Sequence, residues 1–63
     1  MEKGFQPRLL DIRAAARFLG GTIYSVRSLL WNGEIPYIKL GKRFVIDRED
    51  LERWIITTKR KNG

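Results

Sequence analysis

Residues 11–33 read DIRAAARFLGGTIYSVRSLLWNG, and this segment predicts two short helices joined by a tight turn. In its first half, apolar residues recur at i, i+3, i+4 and i+7, which places them on one helical face. These residues are Ile12, Ala15, Ala16 and Leu19. Asp11 is a good N-cap for this helix, and Gly20-Gly21 ends it because glycine readily adopts the left-handed C-terminal conformation.

The second half predicts a helix over about residues 22–31. Thr22 can cap it, and Asn32-Gly33 ends it. Its apolar residues again repeat at helical spacing, and they are Ile23, Val26, Leu29 and Leu30. The break between the two helices is too short for an antiparallel arrangement, so we expect a steep crossing.

After Pro36 the sequence predicts strands. Residues 37–40 and 44–46 are short runs rich in β-branched and aromatic side chains, separated by Gly41-Lys42-Arg43. This pattern predicts a β-hairpin over residues 37–46 with a three-residue basic tip. Asp47 can cap a third helix, in which Leu51, Trp54 and Ile55 form the apolar stripe and Asp50 takes the third position.

These elements predict a mainly α fold with a small β-hairpin. The architecture is a winged helix-turn-helix: a helix-turn-helix, a two-stranded wing and a C-terminal helix. We expect one domain over residues 9–58, a flexible N-terminal tail over residues 1–8 and a basic C-terminal tail over residues 59–63. The expected core comprises Ile12, Ala15, Ala16, Leu19, Val26, Leu30, Leu51, Trp54 and Ile55.

The charge balance favours a polyanionic partner. Thirteen Lys and Arg against seven Asp and Glu leave a net charge of +6 on 63 residues. This excess is typical of domains that bind nucleic acid, and it also fits a merely soluble basic domain. Charge alone does not separate these two interpretations, so the arrangement of the basic residues has to decide.

Enzymatic chemistry has little support in this composition. The chain has no Cys and no His, so a zinc site would rest on carboxylates alone. It also has no phosphate-cradling glycine motif, and the dipole of the third helix explains the adjacent carboxylates of Glu49 and Asp50. We predict that the protein is not an enzyme and uses no metal, cofactor or small-molecule ligand.

The segment over residues 9–55 resembles the excisionase and MerR-like helix-turn-helix domains of bacteria and their phages. The resemblance rests on three ordered pieces, LLDIRAAARFLG, TIYSVRSLL and GEIPYIKLGKRFVIDREDLERWI. It implies that the second helix enters the major groove of DNA and that the wing reaches the adjacent minor groove or the backbone. Two departures from the family pattern are Gly21, where a small apolar residue is usual, and Trp31, where a polar or basic residue is common.

The resemblance also implies roles for individual residues. It assigns base reading to Tyr24, Arg27 and Ser28 of the second helix, and wing contacts to Lys42 and Arg43. The spacing supports the same assignment, because residues 24, 27, 28 and 31 share a helical face rotated away from the apolar stripe. An Arg on such a face can bond both acceptors of a guanine edge, which is worth about 1–3 kcal/mol of discrimination.

The predicted DNA-binding set adds the start of the helix and further basic residues. It comprises Thr22, Tyr24, Ser25, Arg27 and Ser28 in the helix, and Lys39, Lys42 and Arg43 in the wing. Arg13 and Arg17 face either solvent or the DNA backbone. For Arg27 the alternative is a solvated surface residue, and for Tyr24 it is a ring lying across the helix. We interpret Trp31 as a partly buried support for the hairpin rather than a DNA contact.

The function predicted from these residues is sequence-specific binding of double-stranded DNA. The protein would be a small excisionase-like recombination directionality factor or a transcriptional regulator of a phage or mobile element. Its expected partners are DNA and either an integrase or recombinase or further copies of itself. No apolar run approaches the roughly 20 residues of a membrane span, and no secretory signal is evident, so we expect a cytoplasmic protein without membrane contact.

The alternative from another class is a protein-interaction module that docks on a recombinase, terminase or polymerase. An RNA-binding role has less support, since the exposed aromatic sheet of single-strand readers is not predicted here.

Overall fold

A computed structural model describes residues 8–60, which form three helices and a three-stranded antiparallel sheet. Residues 1–7 and 61–63 of the two predicted tails lie outside the described residues. The elements are, in chain order, β1 Leu9–Asp11, α1 Ile12–Leu19, α2 Ile23–Trp31, β2 Ile38–Leu40, β3 Arg43–Asp47 and α3 Arg48–Thr58. This arrangement confirms the predicted fold class of a mainly α winged helix-turn-helix.

Each helix begins at the predicted capping residue. The Asp11 side chain accepts a hydrogen bond from the Ala14 amide at 2.8 Å, and Thr22 Oγ1 accepts one from the Ser25 amide at 3.1 Å. Asp47 Oδ1 accepts from the Glu49 amide at 3.0 Å. Side-chain acceptors at these positions satisfy amides that lack partners within the first helical turn.

The turn between α1 and α2 depends on Gly20. Its φ of 74° lies in the left-handed region, which side chains with a Cβ rarely adopt. The following amide, that of Gly21, donates to the Ala16 carbonyl at 2.9 Å and closes the end of α1. Only Gly20, Gly21 and Thr22 separate the helices, so α2 starts directly at the end of α1.

Strand β1 was not predicted from the sequence. It pairs antiparallel with β3, with Leu10 opposite Ile46, and the strand order is β1-β3-β2. The wing is therefore part of a three-stranded sheet rather than an isolated two-stranded hairpin. A run of three residues directly before a helix cap carries too little periodicity to be recognised as a strand.

Arg8 ties the start of β1 to the start of α3. Its Nη2 lies 2.9 Å from Asp47 Oδ2, and its carbonyl accepts a hydrogen bond from the Arg48 amide at 2.8 Å. The hydrogen bond from Arg8 and that from the Glu49 amide hold the pKa of Asp47 below its ordinary value. Asp47 thus caps α3 and pairs with Arg8 at once.

The predicted three-residue hairpin tip is wrong. Leu40 pairs with Arg43, so only Gly41 and Lys42 form the turn. Gly41 has a φ of 63°, and no other residue of the turn has a positive φ, which is the pattern of a type II′ turn. The physical reason is that a two-residue primed turn matches the twist of the strands, so Arg43 joins β3 instead of the tip.

The core lies between the helices and the inner face of the sheet. Most of the predicted core members are confirmed as buried, namely Ala15, Ala16, Val26, Leu30 and Leu51, with Ile12, Leu19 and Trp54 packed partly buried against them. Ile55 is partly buried. Two further core residues, Ile35 and Ile46, were not predicted from the sequence, and they are 1% and 0% exposed. Ile35 is a lone apolar residue in a turn, and Ile46 lies in the apolar run 44–46, in which the sequence does not show which side chain faces inward.

None of the helices within residues 8–60 has the length and apolar character needed to cross a membrane.

Candidate nucleic-acid interface

Helix α2 presents one face to solvent because its opposite face is packed into the core. Val26 and Leu30 are 0% and 2% exposed, whereas Tyr24 is 79% exposed. Arg27 and Ser28 are also exposed. The residues predicted to read bases therefore lie on an accessible helical face, with no protein segment among residues 8–60 covering it.

The N-terminus of α2 carries two hydroxyl groups that bond to each other. Thr22 and Ser25 are both exposed, and their hydroxyl oxygens are 3.0 Å apart. Thr22 Oγ1 also caps the helix through the Ser25 amide. The positive end of the helix dipole and its first amides favour an anion at this position.

Basic side chains from three elements converge on one open groove of about 560 Å³. Arg13 comes from α1, Arg27 from α2, Lys42 from the hairpin turn and Arg43 from β3. The remaining lining is Asp11, Ile12, Ile23 and Phe44. We call this surface the basic groove, and its four cations against one carboxylate give it a positive field.

The carboxylate in the basic groove is already engaged. Asp11 caps α1, and its Oδ2 lies 3.9 Å from Arg43 Nη1. This is a long and exposed ion pair, with 74% of the Arg43 side chain accessible, so it restrains Arg43 only weakly. Although Arg43 is a strand residue and not a tip residue, its guanidinium remains available to a ligand in the groove.

The remaining predicted residues lie outside the lining of the basic groove. Lys39 is opposite Phe44 in the register, so it projects from the same side of the hairpin as that ring. Arg17 lines a second groove, beside the first, that shares Arg13 and Arg43 with it. Thr22, Tyr24, Ser25 and Ser28 extend from the basic groove along the accessible part of α2.

An aromatic cluster joins the end of α2 to the hairpin. The Trp31 ring centroid lies 5.4 Å from that of Phe44 and 5.7 Å from that of Tyr37, and the Tyr37 and Phe44 rings are 5.4 Å apart. Trp31 contacts the hairpin as interpreted from the sequence, but it is 58% exposed. Tilted and edge-on ring contacts of this kind fix the wing relative to α2. The contact of Tyr37 and Phe44 with Trp31 could not be predicted from local sequence patterns, because only the chain reversal brings these rings together.

Within residues 8–60, no group of three or more His, Cys, Asp or Glu side chains is placed to hold a metal ion.

Comparison with known proteins identifies the domain. A family model described as a helix-turn-helix domain matches residues 9–58. The match confirms the resemblance to excisionase-like helix-turn-helix domains that the sequence indicated. No curated protein and no solved structure gave a significant match.

Proposed function

This chain belongs to the helix-turn-helix domain family, and membership of that family suggests DNA binding. On that premise we propose that the chain reads specific sequences in double-stranded DNA. The observation that carries the proposal is the basic groove. Arg13, Arg27, Lys42 and Arg43 come from separate parts of the chain and line one accessible surface. A continuous positive surface beside an exposed helix matches the phosphate backbone that flanks a major groove.

In the proposed complex α2 lies in the major groove. A groove about 12 Å wide admits one α-helix, and the exposed face of α2 offers Tyr24, Arg27 and Ser28 to base edges. Arg27 is the residue best suited to discriminate, because a guanidinium can bond both the O6 and N7 acceptors of guanine. Thr22 and Ser25 at the start of the helix are suited to a phosphate.

The wing and α1 supply the backbone contacts in this proposal. Lys42 at the turn and Arg43 in β3 line the basic groove with Arg27, so a duplex on α2 would meet them on the adjacent minor groove or backbone. Lys39 lies on the same hairpin and adds a further cation. Arg13 contributes from α1, whereas Arg17 lies farther along that helix and borders the second groove.

The biological role we propose is that of a non-enzymatic, cytoplasmic accessory factor. It is either an excisionase-like recombination directionality factor or a small transcriptional regulator of a phage or mobile element. Both roles need a compact DNA reader that acts beside another protein, which is an integrase or recombinase or a further copy of the chain. The activity is assigned to residues 9–58, and the basic residues 59–61 add non-specific attraction.

A docking role is the second candidate function, and one observation favours it. Three large apolar side chains, Leu9, Ile38 and Leu40, are exposed on the sheet away from α2. Exposed apolar side chains grouped on one face are typical of protein-interaction surfaces. This surface supports the alternative function, a protein-interaction module that docks on a recombinase, terminase or polymerase.

Selection of bound sequences from a random duplex pool tests the proposed function. The wild-type chain should enrich a motif with a fixed guanine, and Arg27→Ala should lose the preference at that position while keeping the rest of the motif. Arg53→Ala, at an exposed position of α3, is the control and should return the wild-type motif. Failure of the wild-type chain to enrich any motif would reject sequence-specific reading.

A further inference from the structure

The sheet has an apolar outer face that the DNA-binding proposal does not use. In the register, Ile38 lies opposite Val45 and Leu9 opposite Asp47, and Leu40 follows two residues after Ile38 on the same side. Side chains of directly paired residues point to the same face of a sheet, and successive residues alternate between faces. Leu9, Ile38 and Leu40 therefore point away from the face that carries Leu10 and Ile46. Leu9, Ile38 and Leu40 are 39%, 49% and 59% exposed, and Val45 beneath them is 6% exposed. We call this surface the outer sheet face.

A groove of about 380 Å³ connects the outer sheet face to α1. Its apolar part is formed by Leu9, Leu10, Ala14, Leu40 and Val45, and its charged part by Arg13, Arg17, Arg43 and Asp11. The surface thus combines an apolar floor with a rim on which three cations face one carboxylate.

The acidic groups near this surface are already engaged, whereas two of its cations, Arg13 and Arg17, form no ion pair within residues 8–60. Asp11 caps α1 and lies near Arg43, and Asp47 caps α3 and pairs with Arg8. A ligand on the outer sheet face would therefore meet apolar side chains and unneutralised positive charge.

We propose that the outer sheet face binds an acidic, apolar segment of another protein, in which large apolar side chains alternate with Asp or Glu. The apolar side chains would cover Leu9, Ile38 and Leu40, and the carboxylates would face Arg17 and Arg43. Apolar surface exposed as a contiguous group beside charged residues is typical of protein-interaction sites.

DNA and a second copy of this chain are both less suited to the outer sheet face. DNA phosphates would satisfy the arginines but would leave the apolar side chains without a matching surface. A second copy of this chain would bring its own arginines against Arg17 and Arg43 in a symmetric contact between molecules that each carry a net charge of +6. An acidic, apolar segment of a different protein matches both components of the surface.

A phage-displayed library of random peptides, selected against the full chain, tests the proposal. We expect enrichment of peptides that combine Leu, Ile or Phe with Asp or Glu. Ile38→Thr/Leu40→Thr should lower the affinity of the enriched peptide by about tenfold, as loss of central interface residues does. Threonine keeps the strand propensity of these positions, so the fold should persist.

Two further variants separate charge from shape and this surface from the DNA site. Arg17→Gln, on the exposed side of α1, should lower the affinity for the peptide more at low salt than at high salt. Tyr24→Ala should bind the peptide like wild type, because it lies on α2. If the Ile38→Thr/Leu40→Thr variant loses its cooperative melt, the comparison of Arg17→Gln with Tyr24→Ala decides the outcome, since neither change touches the sheet.

Several results would overturn the proposal. No enriched peptide, enrichment without carboxylates, or equal affinity of the peptide for wild type, Ile38→Thr/Leu40→Thr and Arg17→Gln would each exclude the acidic segment. Self-association of the wild-type chain in sedimentation velocity that Ile38→Thr/Leu40→Thr abolishes would assign the face to a second copy. Titration of Ile38→Thr/Leu40→Thr with duplex DNA keeps the result independent of the proposed function, because neither residue belongs to the proposed DNA-binding set: unchanged DNA binding leaves that proposal intact whichever way the peptide result falls.

Discussion

At the scale of single residues, Arg27 and Lys42 line the same groove but have different tasks in the proposed complex. Arg27 lies on the exposed face of α2, and Lys42 occupies the hairpin turn. A base contact selects among sequences, whereas a backbone contact strengthens binding to all of them. The two residues therefore provide a direct test of which element reads the sequence.

Arg27→Ala should lower affinity for the selected site by about 1–3 kcal/mol and leave a scrambled duplex nearly unaffected. Lys42→Ala should weaken both duplexes by similar factors, unless the wing reads a narrow minor groove, in which case A·T-rich sites lose more. The measurement is titration of each variant against both duplexes at one salt concentration. Equal weakening of the two duplexes by Arg27→Ala would mean that α2 is not the reader.

Asp47 makes stability depend on pH at the junction of β1 and α3. Its pKa is lowered mainly by the Arg8 hydrogen bond, so its contribution to the free energy of unfolding is full above the ordinary pKa of about 3.8. The contribution is lost as the pH falls through the lowered pKa of the folded state. Asp47→Asn, which keeps a capping oxygen, should melt below wild type at neutral pH and approach it in acid.

Thermal melts followed by circular dichroism between about pH 6 and pH 2 measure this convergence. Glu52→Gln is the control, because Glu52 is exposed on the same helix and no ion pair within residues 8–60 involves it. A constant difference in melting temperature between Asp47→Asn and wild type would show that the Arg8–Asp47 pair contributes no pH dependence.

At the scale of elements, α3 is held to the core by Leu51 and Trp54. Leu51 is fully buried, whereas Trp54 is partly buried and its Nε1 donates to Glu34 Oε1 at 3.4 Å. This bond also connects α3 to the turn that precedes the hairpin. Ile56, two residues farther along, is 72% exposed and contributes little to the same interface.

Leu51→Ala should lower the free energy of unfolding by about 2–5 kcal/mol, as deletions from a packed core do. In a domain this small, that change unfolds much of the population. Trp54→Ala should lower the free energy of unfolding by less than the roughly 3–5 kcal/mol expected for a fully buried aromatic residue, because part of the Trp54 ring already contacts water. Urea unfolding of both variants, with Ile56→Ala as the control on the same helix, orders the three. An Ile56→Ala effect as large as that of Leu51→Ala would contradict the packing described for α3.

At the scale of the whole molecule, part of the positive charge behind the net charge of +6 lies on two neighbouring surfaces. Four cations from three elements lie on the basic groove, and Arg17 borders the outer sheet face. One side of the domain is thus arranged for a polyanion, and the sheet offers a mixed apolar and positive surface. The two surfaces share Arg13 and Arg43, so a protein bound on the sheet would lie beside the duplex.

Affinity for duplex DNA should fall steeply with salt if these cations neutralise phosphates. The expected slope of log K against log salt is about −0.9 for each phosphate contact, and Lys42→Ala should reduce the magnitude of the slope by about 1. Fluorescence anisotropy across a salt series gives both values. An affinity that stays flat from low to moderate salt would reject the nucleic-acid role and leave protein docking as the activity of the domain.

The helices and their caps could be predicted from the sequence because they depend on short-range interactions. Asp11, Thr22 and Asp47 each bond to an amide two or three residues away, and the left-handed Gly20 lies directly after the last residue of α1. The exposed face of α2 follows from the same local periodicity. The family resemblance and the net charge then indicated DNA as the partner, since both depend only on the residue types and their order in the chain.

Only the tertiary structure decided which of those residues meet. Strand β1 exists because Leu9–Asp11 pairs with β3, and Arg8 bonds to Asp47 across 39 positions of sequence. Arg43 joins β3 because the hairpin register closes with a two-residue turn, and Arg13, Arg27 and Lys42 line one groove because α1, α2 and the hairpin cross at that point. Short-range patterns specify each element and its faces, but pairing between distant segments depends on how all the faces bury one another at once.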